Sequence, residues 1–326
     1  MLYSTAITAM VSIGLAVSYL IIRRQAHRPG VVVLLYHRLC PQAEWELLTG
    51  AERNFCCPVE RFEEHVRFMV ADGYRFLSLT ELHLWLDNPP ARSEKLAVLT
   101  FDDGSSSVYE YAVNITEALS VPAAVFITSD PDAWVHEHQP RLTAEQILEL
   151  TNRGFDIGAH GVTHHGLNEM PEPKLRWELD ACRQTLEGII DAPVVDLAIP
   201  LGFYTTQVLE RAAEHGYRLV FTSKPGRVQH DTHPNEIPRF TIEGQMTSND
   251  LQRLLSPLGI VARKLIASIK RLPPALLGEN RWMPLRQQLF ESRIGPYLHS
   301  RALLRMLGTT TAICFLLVAW LIAWVF

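Results

Sequence analysis

The sequence predicts an α/β fold, a mainly parallel sheet wrapped by helices, with an apolar helix at each end of the chain. Three observations lead there. Apolar, β-branched runs alternate with helical patterns between residues 31 and 242. About seven such strand–helix units fit an irregular barrel of parallel strands. The mean hydropathy of +0.05 reflects apolar residues gathered at the two termini.

Taken in chain order, Leu2–Ile22 contains no charged residue. At a rise of 1.5 Å per residue it spans roughly 30 Å, the thickness of a hydrocarbon core. A cleavable signal peptide would carry its charge before the apolar run and small residues after it. Here Arg23, Arg24 and Arg28 follow the run, which favours a retained transmembrane helix over 1–22. Val31–Leu35 is the first buried strand. Phe62, Val66, Met69 and Val70 mark a helix closed by Gly73, and Thr80 is expected to cap a helix running to Leu86. Leu96–Phe101 is a strand, Val108–Leu119 a helix and Ala123–Ile127 a strand. Thr143 caps a helix over Ala144–Arg153 that ends at Gly154. Strand Phe155–Ala159, helix Lys174–Ile190, strand Val194–Ile199, helix Thr206–His215 and strands Arg218–Thr222 and Pro238–Ile242 complete the alternation.

The next segment changes character. From 246 to 305, Leu, Ile, Arg and Lys recur at helical spacing, as in Val261–Arg271. An amphipathic basic helix of this kind lies along an anionic membrane surface or packs on the barrel, and both readings stand. Met306–Phe326 is a second apolar span, with Trp320 and Trp324 near its end. Arg23, Arg24, Arg28 and Arg38 flank the first span on the domain side, and Arg286, Arg293, Arg301 and Arg305 flank the second. The positive-inside rule then predicts a cell-membrane protein with the central domain, residues 30–245, on the cytoplasmic side, the alternative being the extracytoplasmic side. Membrane lipid is the partner this implies.

Lys plus Arg number 30 against 35 Asp plus Glu, a net charge of −5. Without clustered positive charge, no nucleic-acid partner is expected. The five cysteines, Cys40, Cys56, Cys57, Cys182 and Cys314, are odd in number and form no C-x-x-C pair. Neither a disulfide framework nor a thiolate zinc site is favoured.

The chemistry sits at strand ends. Asp102 and Asp103 follow a buried strand in Leu99-Thr-Phe-Asp-Asp-Gly104. Adjacent carboxylates repel unless a cation or a proton separates their states. His160 and His164 follow a later strand in Ile157-Gly-Ala-His-Gly-Val-Thr-His-His-Gly166. A parallel barrel brings strand C-terminal ends to one face. Asp103, His160 and His164 can then offer one oxygen and two nitrogens, three ligands with open positions, which describes a catalytic rather than a structural metal site. A divalent metal, zinc foremost, is the expected cofactor.

Thr-Phe-Asp-Asp-Gly followed by His-x-x-x-His resembles the polysaccharide deacetylase (NodB-homology) family, and the likeness runs over roughly residues 31–245. Leu34-Leu-Tyr-His-Arg-Leu39 and the stretch from Phe62 to Leu79 are similar to the branch that contains poly-N-acetylglucosamine deacetylases. Ala198-Ile-Pro-Leu-Gly-Phe-Tyr204 resembles the third motif of that branch, and Ile237-Pro-Arg-Phe240 its closing strand. The resemblance implies an irregular (β/α) barrel, Asp102 as general base, Asp103, His160 and His164 as metal ligands and His37 as general acid. His165 stands where the family often has proline and is not expected to be a third imidazole ligand. The better-known branch braces its catalytic aspartate with an arginine from the third motif. None is present in Leu197-Ala-Ile-Pro200, and Arg239 is the candidate replacement. Leu201 replaces the usual aromatic, and its backbone N–H beside Pro200 is assigned to the oxyanion. The implied function is metal-dependent removal of N-acyl, foremost N-acetyl, groups from amino sugars of a glycan or a lipid-linked saccharide. The alternative is a catalytically silent, membrane-tethered carbohydrate-binding or scaffold protein of the same fold.

Overall fold

The computed structural model describes residue 20 and residues 30–88, 94–133 and 140–264. The chain divides into one compact unit over Arg28–Leu255 and another formed by Met1–His27 with Ser256–Phe326. Of the second unit, residue 20 and residues 256–264 are described, and 257–264 are helical.

Eleven strands are found among the described residues: β1 Gly30–Tyr36, β2 Arg38–Cys40, β3 Cys56–Pro58, β4 Arg75–Phe76, β5 Lys95–Phe101, β6 Ala123–Ile127, β7 Asp156–Ala159, β8 Asp196–Ala198, β9 Leu219–Phe221, β10 Arg227–Val228 and β11 Phe240–Thr241. The main sheet runs β10-β1-β5-β6-β7-β8-β9, with β4 on β5 and β11 on β1. Its neighbours are parallel except β10. β1 and β5 pair over their full lengths, from Gly30 opposite Lys95 to Tyr36 opposite Phe101. Both are buried on both faces, which is why they read as continuous rather than alternating apolar runs. On one face, Val31, Val33, Val98, Phe126, Leu219 and Phe221 join a core with Leu82 and Trp85 of the helix Leu79–Asp87.

The expected barrel needs correction. The sheet is curled, but its seam is thin. A single bridge joins Phe221 to Ile237, and the two-residue β11 pairs with β1. Pro238 has no N–H to donate, so the expected strand Pro238–Ile242 shortens to β11.

The flanking transmembrane helices also need correction. No described helix is long and apolar enough to cross a membrane. The longest, Glu172–Ile190, has 19 residues but carries Glu172, Lys174, Arg176, Glu178, Asp180, Arg183 and Glu187. The runs 1–22 and 306–326, apart from residue 20, and the part of 246–305 beyond residue 264 lie outside the described residues. The cell-membrane location and cytoplasmic orientation rested on those runs and fall with them.

Smaller differences have local causes. The helix after β4 is capped by Ser78, not Thr80. The Ser78 hydroxyl accepts from Glu81 N, and the Glu81 carboxylate accepts from Ser78 N, a reciprocal capping box that leaves Thr80 inside the first turn. The helix expected over Val108–Leu119 opens with a π turn at Val108–Ala112 before the α-helix Val113–Ala118. Between β1 and the helix Val59–Ala71, the chain inserts β2, two short helices (Gln42–Leu47 and Gly50–Phe55) and β3, none of which the periodicity foreshadows.

Candidate active site

The parallel strands of the main sheet deliver their C-terminal ends to one side; His37, Asp102, Asp103 and His160 leave from those ends, while Arg239 precedes β11. Asp102 follows β5, and its N–H donates to Tyr36 O at 2.9 Å, extending the β1–β5 pairing by one step. Its carboxylate is buried and gripped by Arg239. The guanidinium donates through both terminal nitrogens, 2.7 Å to Oδ1 and 2.7 Å to Oδ2. Arg239 itself is 1% exposed. Its Nε donates to Thr222 O at 3.1 Å, and its face packs against Phe126 and Phe221. A buried, bidentate arginine–carboxylate pair fixes the direction of the carboxylate as well as its charge.

Asp103 turns the chain with φ +76°, followed by Gly104 at the same angle. A Cβ on Gly104 would come within 3.0 Å of Ile127 Cγ2, so only glycine fits this turn without a shift. The turn aims Asp103 Oδ1 at two imidazoles, 3.4 Å from His160 Nε2 and 3.2 Å from His164 Nε2. That oxygen is buried and receives no hydrogen bond.

His160 leaves β7 with its N–H donating to Ile127 O at 2.9 Å. Its Nδ1 lies 2.8 Å from Ala198 O at the end of β8. A carbonyl only accepts, so Nδ1 carries the proton and Nε2 keeps its lone pair toward Asp103. His164 sits at φ +59°, its ring centroid 5.2 Å from that of His160. Burial alone would raise the Asp103 carboxyl, but the imidazoles of His160 and His164 and the charge of His37 outweigh it and hold the group well below the usual range. Burial alone would lower His160, but the carboxylates of Asp102 and Asp103 outweigh it and raise it.

The donor atoms of Asp103, His160 and His164 all lie within 4.8 Å of one another, and all three residues are buried. Two imidazole nitrogens, that of His160 with its tautomer fixed, and an orphaned buried carboxylate oxygen form a donor set that suits a divalent cation such as zinc.

His37 follows β1, partly buried, with its ring edge-on to Phe55 at 4.8 Å. Pro200 and Leu201 form the turn after β8. Leu201 adopts φ +58° and is 45% exposed, with Phe203 also exposed beside it in sequence. His165 is exposed and bonds locally to Thr163, away from the buried cluster.

Two residues at the site escaped the sequence reading. Glu178 is fully buried. Its carboxylate accepts from Val162 N at 2.6 Å, Thr163 N at 3.0 Å and the Thr163 hydroxyl, which holds the turn between the two histidines. Gly161, at φ +74°, lets the backbone pass this carboxylate, since a Cβ there would lie 3.1 Å from its Oε2. The one trace of it in the sequence is its place on the apolar stripe of Leu175, Leu179, Cys182 and Leu186. Arg141 bridges to Ser105 and donates to Thr128 O at 3.3 Å. Burial lowers its guanidinium, opposed by the charges of Asp103 and Asp130.

The fold and site have relatives. Residues 90–220 match the polysaccharide deacetylase family profile. A Bacillus subtilis (strain 168) protein provisionally named polysaccharide deacetylase YxkH is 25% identical over 217 residues, which cover 67% of this chain and 73% of that one. The structure of the Streptococcus pyogenes deacetylase PplD, in complex with acetate, superposes with a TM-score of 0.60 at 22% identity, covering 69% of this chain and 98% of PplD. IcaB from Ammonifex degensii superposes with a TM-score of 0.58 at 21% identity, covering 71% and 97%. These two structures speak for the fold. The matched profile marks residues 90–220 as a polysaccharide deacetylase domain.

Proposed function

We propose that the chain is a metal-dependent hydrolase that removes N-acetyl groups from the amino sugars of a glycan, with its catalytic domain within residues 30–245. The observation that carries this reading is the juxtaposition of two differently held aspartates. Asp103 shares a buried cluster with His160 and His164, while the adjacent Asp102 is clamped by Arg239. Asp103, His160 and His164 would hold the cation, which when bound supplies Lewis acidity, lowering the pKa of water and polarising an amide carbonyl.

The rest of the chemistry belongs to the side chains. Asp102 takes the proton of the attacking water at a carboxylate oxygen whose direction Arg239 fixes. The backbone N–H of Leu201, in the turn that starts at Pro200, is the donor assigned to the developing oxyanion. Protonated His37 delivers a proton to the leaving amine, which without an acid is a very poor leaving group. Its ring is steadied by Phe55. The substrate proposed is an N-acetylated polysaccharide. A lipid-linked saccharide offers the same amide and is the other member of the class.

The test is amine and acetate release from chitin-type and poly-N-acetylglucosamine oligomers by the zinc-loaded protein. Chelation abolishes release and zinc restores it. His160→Ala and His164→Ala lose metal and activity together while the fold survives, and His37→Ala lowers turnover and moves the basic limb of the pH–rate profile. Full metal occupancy in the double histidine variant overturns the ligand assignment. Wild-type turnover in His37→Ala moves the acid elsewhere, with His230 and His233 next to be replaced. Bound metal and bound oligosaccharide without amine release overturn the hydrolase reading in favour of a silent binding protein.

A further inference from the structure

We propose that Cys40 and Cys56 are a covalent cross-linking site, forming an intrachain disulfide by exchange with a small-molecule or protein disulfide. This inference is independent of the proposed function.

β2 and β3 pair in parallel, with Arg38 opposite Cys56 and Cys40 opposite Pro58. Side chains two apart on a strand share a face, so Cys40 and Cys56 lie on one face of the ribbon and Cys57 on the other. The Sγ atoms of Cys40 and Cys56 are 2.7 Å apart. A covalent S–S bond is about 2.05 Å, so less than 1 Å of approach separates this thiol pair from a bond. Both residues are 1% exposed and share a small apolar cluster with Trp45. Cys57 points its sulfur toward Pro58 O instead, at 3.6 Å.

The environment also distinguishes the two thiols. Cys40 is lowered from the ordinary thiol range, chiefly because Cys56 donates its S–H to it, with the Arg38 charge acting in the same direction against burial. Cys56 is raised by the same contact. Cys40 is the thiol this contact favours as first attacker, and attack by Cys56 first would lead to the same bond.

The exchange balances as follows. Cys40 Sγ⁻ attacks one sulfur of the reagent disulfide, the reagent S–S bond breaks, and one thiolate leaves. Cys56 gives up its proton to that thiolate and attacks Cys40 Sγ, expelling the second thiolate. Two cysteines are oxidised to one disulfide, and the reagent disulfide is reduced to two thiols. Because both sulfurs are buried, exchange takes place during folding or on local opening of residues 41–55, and the finished bond is shielded from reductant.

The bond would close the segment containing both short helices, whose last residue, Phe55, rests on His37. That segment is also held by non-covalent contacts, among them Trp45 Nε1 to Arg53 O at 3.1 Å, Gly244 N to Asn54 O at 2.8 Å and the Arg38–Glu44 ion pair.

The test holds the full chain in oxidised and reduced glutathione, quenches with acid, denatures, alkylates and maps peptides by mass. The five alkylated cysteines of the reduced chain fall to three, Cys40 is found linked to Cys56, and Tm rises by about 5–10 °C. Cys57→Ser gives the same link, and Cys40→Ser loses it. Five free thiols throughout the buffer series, or a link that runs through Cys57, Cys182 or Cys314, overturns the proposal.

Discussion

The curled sheet buries carboxylates at both ends, and the two ends treat them in opposite ways. At the C-terminal end, Asp102 faces a guanidinium and Asp103 faces two imidazoles. At the N-terminal end, Asp156 opens β7 and Asp196 opens β8. Asp156 accepts one backbone N–H, from Leu79 at 2.7 Å, yet burial still raises its carboxyl. Asp196 has one oxygen without any hydrogen bond and is pushed up to about 7, chiefly by burial and secondarily by Asp156, with Arg218 opposing. Asp102, Asp103 and Asp196 are buried and Asp156 is half-buried. What differs is the partner: the imidazoles hold Asp103 below the usual range, whereas Asp156 and Asp196, without such a partner, are raised.

Removing the charge at the C-terminal end has the largest expected effect. Asp102→Asn lowers turnover by about 10²–10⁴-fold, the range for a general acid–base group, while metal content is unchanged. Steady-state kinetics beside metal analysis checks both halves, and loss of metal in this variant would blur the division of labour between the two aspartates.

Removing the partner instead makes the C-terminal end resemble the other. Arg239→Met leaves Asp102 buried without its counter-charge and costs about 3–5 kcal/mol in urea unfolding. Arg239→Lys keeps the charge without the fork and falls between the two. A Met variant as stable as the wild type would mean that the pair contributes direction only.

Next in size is the support of the histidine turn. Glu178→Ala weakens divalent-metal affinity by about 10–100-fold in chelator competition, as loss of an outer partner does elsewhere. Glu178→Gln recovers most of it, because Gln can accept the two N–H groups and donate to the Thr163 oxygen. Unchanged affinity in the Ala variant would leave Glu178 a purely structural residue.

The smallest expected effect lies at the N-terminal end and depends on pH. Asp196 titrates near 7 when folded and near 3.9 when unfolded. The native state then binds the proton more tightly, so stability falls as pH rises from about 4 to about 7 and is flat above. Asp196→Asn removes this dependence. The variant is more stable than the wild type by about 1–2 kcal/mol at pH 8, and the gain shrinks toward pH 4. A gain that is independent of pH would show that ionisation of Asp196 is not its source.

How much of this was legible in the sequence depended on how local the cause was. The strands of the sheet announced themselves as β-branched runs, and the strand-end position of Asp103, His160 and His164 followed from parallel topology. Bringing Arg239 onto Asp102 was readable only as a gap to be filled, since the two are 137 residues apart. Glu178 was passed over because a carboxylate on an otherwise apolar helix face reads as noise until the turn it holds is seen. The thin seam follows from Pro238, a single residue whose missing N–H outweighs its apolar neighbours. The 38–58 insertion has short elements with no period to detect. The membrane-spanning architecture was an inference from the terminal apolar runs, and no helix among the described residues supports it.

The seam has a consequence in time as well as in space. The segment that carries Arg239 is anchored between β9 and β1, so the clamp on Asp102 forms only after the chain has been made almost to the end of the compact unit. A nascent chain stopped before residue 239 holds every metal-ligand candidate but leaves Asp102 without its guanidinium. Contacts of such long sequence separation form late and slowly. The carboxylate proposed as general base therefore gains its guanidinium only when synthesis of the domain is nearly complete.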